Sequence, residues 1–187
     1  MKKIAFVSTN KSSWGGSEYL WYYSSFKLAE KGYELRASVP RWKEMPPISE
    51  KLKSSGIKLE YLTDVPAFKK LINRFVPASF QFKYNNEGFL FLLDFKPDLV
   101  VINQGGNTGG IDLMEYCILN NLKFVTMSNA ANEAKWPSDL LNERLSKALP
   151  KAEVNYFVSN ANIHLTEIQI GQKIENAKLI VNPFNVE

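Results

Sequence analysis

A chain of 187 residues can bury a sizeable core as one domain or two small ones, and its balance of 45% apolar to 22% charged residues excludes a disordered polymer. A net charge of +4 favours weak attraction to anions but falls short of the dense Lys/Arg stripe of a dedicated nucleic-acid binder. One cysteine, Cys117, excludes an internal disulfide, and one histidine, His164, excludes a multi-histidine metal site.

"KIAFVS" (3–8) is a β-branched and aromatic run that predicts a buried strand. It is too short for a secretory h-region or a membrane span. "SEYLWYYSSFKLAEKG" (17–32) predicts a helix, with Ser17 as N-cap, Gly32 just past its end, and Tyr19, Tyr22, Tyr23, Phe26 and Ala29 on one apolar face. "YLWYY" fits a contact between copies as well as it fits a core. "YELRASVP" (33–40), "ISEKLKSSG" (48–56) and "IKLEYL" (57–62) predict strand, helix and strand. Residues 65–96 predict two helices split at Pro77. The remainder alternates: strand 98–103, helix 109–121, strand 122–128, helix 138–150 with Ser138 as cap, strand 153–159, helix 160–171 and a short strand 177–183. Such alternation predicts a Rossmann-like, doubly wound, mainly parallel sheet with helices on both faces. Residues 1–182 read as one domain, and 183–187, "PFNVE", as the start of an interdomain linker.

In such sheets ligands bind beyond the carboxyl ends of the strands, where strand order reverses, so the loops after the strands are the candidate sites. The first holds Gly15, Gly16 and Ser17 just before a helix start. Glycine lets main-chain N–H groups approach a ligand, and a helix start adds unpaired donors and partial positive charge, which together suit a diphosphate. "WGGSE" matches neither G-x-G-x-x-G nor the nucleoside-triphosphate loop, which weighs against both a nicotinamide dehydrogenase and a triphosphatase. The second loop, "NQGGNTGGID" (103–112), places Asn103, Gln104 and Asn107 beside four glycines. Amides donate and accept without charge and suit hydroxyl-rich ligands. The third, "SNAANEAKWPSD" (128–139), offers Asn129, Glu133 and the flat surface of Trp136. Ser159 and Asn160 read as helix caps. Cys117, in an apolar helix, reads as a buried structural thiol, and His164 is assigned no chemistry. The basic-aromatic stretch 68–83 fits a sheet-covering helix better than an anionic-lipid surface.

Taken together, "KIAFVSTN", "WGGSEYLWYYSSFKLAEKGYEL", "KPDLVVINQ" and "AEVNYFVSNANIHLTEIQIGQKIENAKLIVNPFNVE" resemble, in order and spacing, the amino-terminal domain of family 4 glycosyltransferases of the GT-B fold. The resemblance implies the acceptor-side half of a two-domain sugar transferase, inactive without a carboxyl-terminal domain that holds most of the nucleotide-sugar donor. It implies a nucleotide-sugar donor and a glycan or lipid-linked acceptor, no metal or cofactor, retention of anomeric configuration, no nucleic-acid partner, and a cytoplasmic place with peripheral membrane contact allowed. By position it brings Gly15 and Gly16 to the donor diphosphate and Glu18 to the cleft. The sequence departs from the family at Asn129, where many members have histidine, and at "NQGGNTGG", which replaces a histidine-containing stretch. The competing expectation is a stand-alone flavodoxin-like binding module with no catalysis.

Overall fold

The computed structural model describes residues 2–11, 14–42, 48–62 and 87–182. Seven strands form one sheet in the order β3-β2-β1-β4-β5-β6-β7: β1 Lys3–Ser8, β2 Glu34–Pro40, β3 Lys58–Leu62, β4 Leu99–Gly106, β5 Phe124–Ala130, β6 Val154–Phe157 and β7 Ala177–Leu179. Every pairing is parallel. The helices are α1 Gly16–Glu30, α2 Ile48–Ser54, α3 Glu87–Phe95, α4 Ile111–Leu119, α5 Asp139–Ala148 and α6 Asn160–Ile170.

Parallel strands must be covered on both faces, and alternation within each strand supplies both layers. In β1, Ala5 and Val7 join Val100, Ile102 and Phe124 against α3, α4, α5 and α6. Ile4 and Phe6 join Val101, Val125 and Met127 on the opposite face, which α1 and α2 cover. Each fully buried Leu, Ile or Phe of these layers stabilises the fold by about 1.5–3 kcal/mol. The strand order reverses between β1 and β4, so the loops after these two strands flank the switch point.

Local signals behave largely as expected. Ser138 Oγ accepts from the Leu141 N–H and Ser159 Oγ from the Asn162 N–H, so both serines cap. α1 ends at Gly32, where the Gly32 N–H bonds the Ala29 carbonyl and the Tyr33 N–H the Leu28 carbonyl. Cys117 is buried without a disulfide, and burial pushes its thiol up to about 12. His164 lies exposed on α6. No described helix is long and apolar enough to cross a membrane.

Two expectations about α1 need correction. Ser17 is not its N-cap: Gly15 holds that place without a side-chain bond, and Ser17 sits within the first turn. The inward face is also broader than the expected one: Tyr22 is buried and Tyr19, Phe26 and Ala29 pack against the same core, but four further residues join them. Glu18, Trp21, Tyr22 and Ser25 turn inward with Leu20, while Tyr23 is exposed. The small Ser25 lets the helix approach the sheet, and the Trp21 indole follows Glu18, to which it donates. The aromatic run "YLWYY" therefore belongs mostly to the core. Of the two helices expected over 65–96, only the end of the second is described, as α3; residues 65–86, the stretch 68–83 with them, and the linker 183–187 lie outside the described residues.

Candidate functional site

Register builds the centre of the site. Ser8 and Asn103 are paired neighbours at the carboxyl ends of β1 and β4. Both face α1, and the side chain between them is Glu18. Its Oε1 accepts from Ser8 Oγ at 3.1 Å, Asn103 Nδ2 at 3.0 Å and Asn10 Nδ2 at 3.1 Å, with Ser17 Oγ farther at 3.4 Å. Its Oε2 accepts from Trp21 Nε1 at 2.5 Å. Asn129, at the end of β5, extends the chain of bonds by donating Nδ2 to Asn103 Oδ1 at 2.8 Å.

Glu18 is wholly enclosed, with 0% of its surface exposed. Burial pushes its carboxyl above the usual carboxylate range, and the bonds from Trp21, Asn10, Ser8 and Ser17 pull it back. A buried carboxylate without a cation is tolerable only where donors surround it. The network therefore ties α1, β1, the β1 loop and β4 together. Glu18 was expected at the cleft; it lies beneath the loop as an anchor.

A second anchor holds the same loop. Trp14, directly before the glycine pair, packs edge-on against Tyr19, Trp21, Tyr22 and Trp42, with ring centroids 5.7–5.9 Å apart. Trp42 also donates Nε1 to the Asn10 carbonyl at 3.2 Å. Between these anchors Gly15 and Gly16 come to the surface. Gly15 is extended (φ −160°), and Gly16 is the first residue of α1. A Cβ on Gly16 would meet nothing within 4 Å. By helix geometry the first-turn N–H groups of Gly16 and Ser17 have no intrahelical carbonyl, so they carry the positive end of the helix dipole.

The second glycine loop differs from expectation. Gln104 and Asn107 are buried and bond the protein itself. Gln104 Nε2 donates to the Gly109 carbonyl at 2.9 Å, and Asn107 Nδ2 to Thr166 Oγ1 at 2.9 Å and Gln169 Oε1 at 2.7 Å. Gln169 in turn donates to the Asn132 carbonyl, bracing the β5 loop against α6. Two of the amides expected to meet a ligand thus shape the loops around it. Glu133 and Trp136 are exposed on the β5 loop.

Between the loops after β1, β2 and β4 lies a cavity of about 480 Å³, lined among others by Thr9, Lys11, Arg41, Gly109 and Gly110. Gly109, Gly110 and Asp112 belong to the second candidate loop, 103–112, whereas Leu62 and Phe89 lie outside the loops expected to form the site. Lys11 and Arg41 are exposed cations 30 positions apart, and the parallel register of β1 and β2 brings their loops together. Ser8, Asn10 and Trp14 were likewise missed, although their closeness to Gly15 was a usable signal. Among the described residues no group of His, Cys, Asp and Glu could hold a metal ion.

This geometry has solved counterparts. The Rossmann-like α/β architecture matches GT-B proteins. One is Anabaena Alr3699/HepE, solved in complex with UDP, with TM-score 0.66 and 15% identity over 98% of this chain and 44% of that one. A glycosyltransferase from Rickettsia africae matches with TM-score 0.61 and 13% identity over 96% of this chain and 42% of that one. The UDP-GlcNAc 2-epimerase from Neisseria meningitidis, bound to UDP-GlcNAc, matches with TM-score 0.57 and 11% identity over 97% and 47%. The chain thus spans less than half the length of each of these three structures. No protein-family model matches the sequence, and no curated protein sequence matches it.

Proposed function

We propose that this chain is the acceptor-side half of a GT-B glycosyltransferase of the family 4 type, which transfers a sugar with retention from a nucleotide-sugar donor to a glycan or lipid-linked acceptor. The donor nucleotide sits mainly on a carboxyl-terminal domain, and the Gly15–Gly16 turn closes over the diphosphate. The observation that carries this reading is Gly16. It opens a helix, faces open space, and lies in the chain between two fixed side chains, Trp14 and the enclosed Glu18. A helix start at an open surface, with its dipole's positive end outward, supports an anion seat there.

The chemistry follows from that seat. In sugar transfer the bond between the anomeric carbon and the diphosphate oxygen breaks, and negative charge gathers on the departing diphosphate. Donors fixed in advance stabilise that charge more in the transition state than in the ground state. Here Gly16 and Ser17 supply the N–H groups, and the buried Glu18 network holds the first turn that carries them. The kinship in fold with proteins solved bound to UDP, UDP-glucose and UDP-GlcNAc supports a uridine diphosphate sugar as donor.

Isothermal titration of the full-length protein with UDP, UDP-glucose and UDP-GlcNAc tests the reading. Binding of UDP and at least one of the sugars is expected. A protein that binds none of them overturns it and leaves the stand-alone binding module.

A further inference from the structure

Of the four tryptophans in this chain, three pack together against the core and one does not. Trp21 and Trp42 are 1% and 6% exposed, and Trp14 packs against both. Trp136, on the loop after β5, leaves 58% of its surface in solvent. That loop is nevertheless held by a buried relay of amides. Asn107 Nδ2 donates to Gln169 Oε1 at 2.7 Å, which leaves Gln169 Nε2 to donate to the loop carbonyls of Asn132 at 3.1 Å and Lys135 at 3.4 Å. The Asn132 side chain closes the turn by accepting from the Ala134 N–H at 2.8 Å. After Trp136 the chain is fixed again, because Pro137 restricts its own backbone angle and Ser138 caps α5. The main chain is therefore pinned before and after an aromatic ring that the fold does not bury.

We propose that Trp136 is the platform on which a sugar ring of the acceptor stacks. A pyranose has a face of C–H groups that packs on a flat aromatic surface, and an edge of hydroxyls that needs polar partners. The loop offers both. Glu133 and Lys135 are exposed on the same loop, and neither has an ion-pair partner among the described residues. A carboxylate accepts from hydroxyls, and an ammonium donates to them. A lipid surface or a protein partner would call for a contiguous apolar patch. Here the next exposed large apolar side chain, Leu140, is separated along the chain from Trp136 by the exposed polar residues Ser138 and Asp139. A platform fixed before binding also loses little conformational freedom when a ligand arrives. The inference rests on the glycosyltransferase reading, which supplies the acceptor. The chain leads into this loop from the proposed transfer site: Asn129, at the end of β5, bonds Asn103, and Asn103 bonds Glu18, two residues past Gly16.

Nuclear magnetic resonance of the isotope-labelled full-length protein tests this through its indole N–H signals. The Trp136 signal is the one lost in Trp136→Phe. Cellotriose, maltotriose and chitotriose serve as probes, each added without and with UDP, and UDP binding itself is read by calorimetry. At least one oligosaccharide at millimolar concentration is expected to shift the Trp136 signal while the other indole signals stay in place. Its affinity, read from main-chain signals of the same loop, is expected to fall about tenfold or more in Trp136→Ala and to be partly kept in Trp136→Phe, since a smaller flat ring still stacks. Both variants change an exposed side chain, so the fold should hold, and an unchanged pattern of the remaining indole signals checks that. A Trp136 signal that no oligosaccharide moves overturns the proposal, as does equal affinity in Trp136→Ala. A signal already shielded from solvent in the sugar-free protein overturns it too, by placing the ring against the rest of the chain. So does a signal broadened only by phosphatidylglycerol vesicles, which makes the ring a lipid contact. UDP binding without an oligosaccharide effect sinks this proposal alone; failure of both sinks the glycosyltransferase reading as well.

Discussion

The two glycine-bearing loops of this protein look alike in sequence and differ in what demands their glycines. In the loop after β4, a Cβ on Gly109 would lie 2.6 Å from the Gln104 carbonyl oxygen, and one on Gly110 2.9 Å from Ile102 Cγ2, at a φ of +74°. The fold itself requires both residues. In the loop after β1, Gly16 has nothing within 4 Å and helical geometry that any residue adopts. Alanine there would favour the helix by about 0.5–1 kcal/mol. A glycine that lowers stability and relieves no internal clash leaves room for something outside the fold. The contrast teaches that glycine content alone does not say what a loop's glycines are for; the space around each missing Cβ separates those the fold requires from those it does not.

The largest way to break this contrast is to release the anchor under the first loop. Glu18→Gln turns an all-acceptor group into an amide whose NH₂ faces donors. Chemical denaturation should show a loss of about 3 kcal/mol, the cost of buried donors left unpaired. The loss also carries a pH signature. The carboxyl of Glu18 is raised in the folded protein above its ordinary value of 4.5. Its proton-linked stabilisation is therefore full below about 4.5 and fades as pH rises through the higher folded value. The stability gap between the native protein and Glu18→Gln should widen as pH falls through that window; a flat gap would mean that the carboxylate is not desolvated.

Next in size is Gly109→Ala, expected to cost about 2–4 kcal/mol because the new Cβ meets main chain that cannot yield cheaply. A melting temperature equal to that of the native protein would show that the second loop tolerates side chains after all. Cys117 sharpens the comparison at smaller scale. It is buried in α4, directly after this loop, and its thiol is pushed up to about 12. Iodoacetamide should label it slowly at pH 8 in the native protein and several-fold faster in Gly109→Ala. Gly16→Ala should leave the labelling rate unchanged.

Much of the architecture was legible because strand and helix periods differ and Pro, Gly and Ser mark the boundaries. Ser138 and Ser159 cap as expected, and the parallel sheet followed from the alternation of elements. The face of α1 was legible only in part. Its inward side carries Glu18 and Ser25, and a count of apolar residues cannot anticipate a carboxylate that five side chains satisfy. One local feature of the proposed site was legible. The spacing of Gly15 and Gly16 to the helix start pointed to an open helix N-terminus. The destination of the amides was not, because Gln104 and Asn107 announce hydrogen bonding without saying to whom. Lys11 and Arg41 stayed hidden for a different reason, since tertiary register brings their loops together.

The most direct test is Gly16→Ala in the full-length protein, with melting temperature and UDP-sugar affinity measured on the same sample. An unchanged or slightly higher melting temperature together with about tenfold weaker binding is predicted, since the methyl group displaces the diphosphate from the main-chain donors. Unchanged affinity at unchanged stability would contradict the account, because the open space at Gly16 would then serve no ligand.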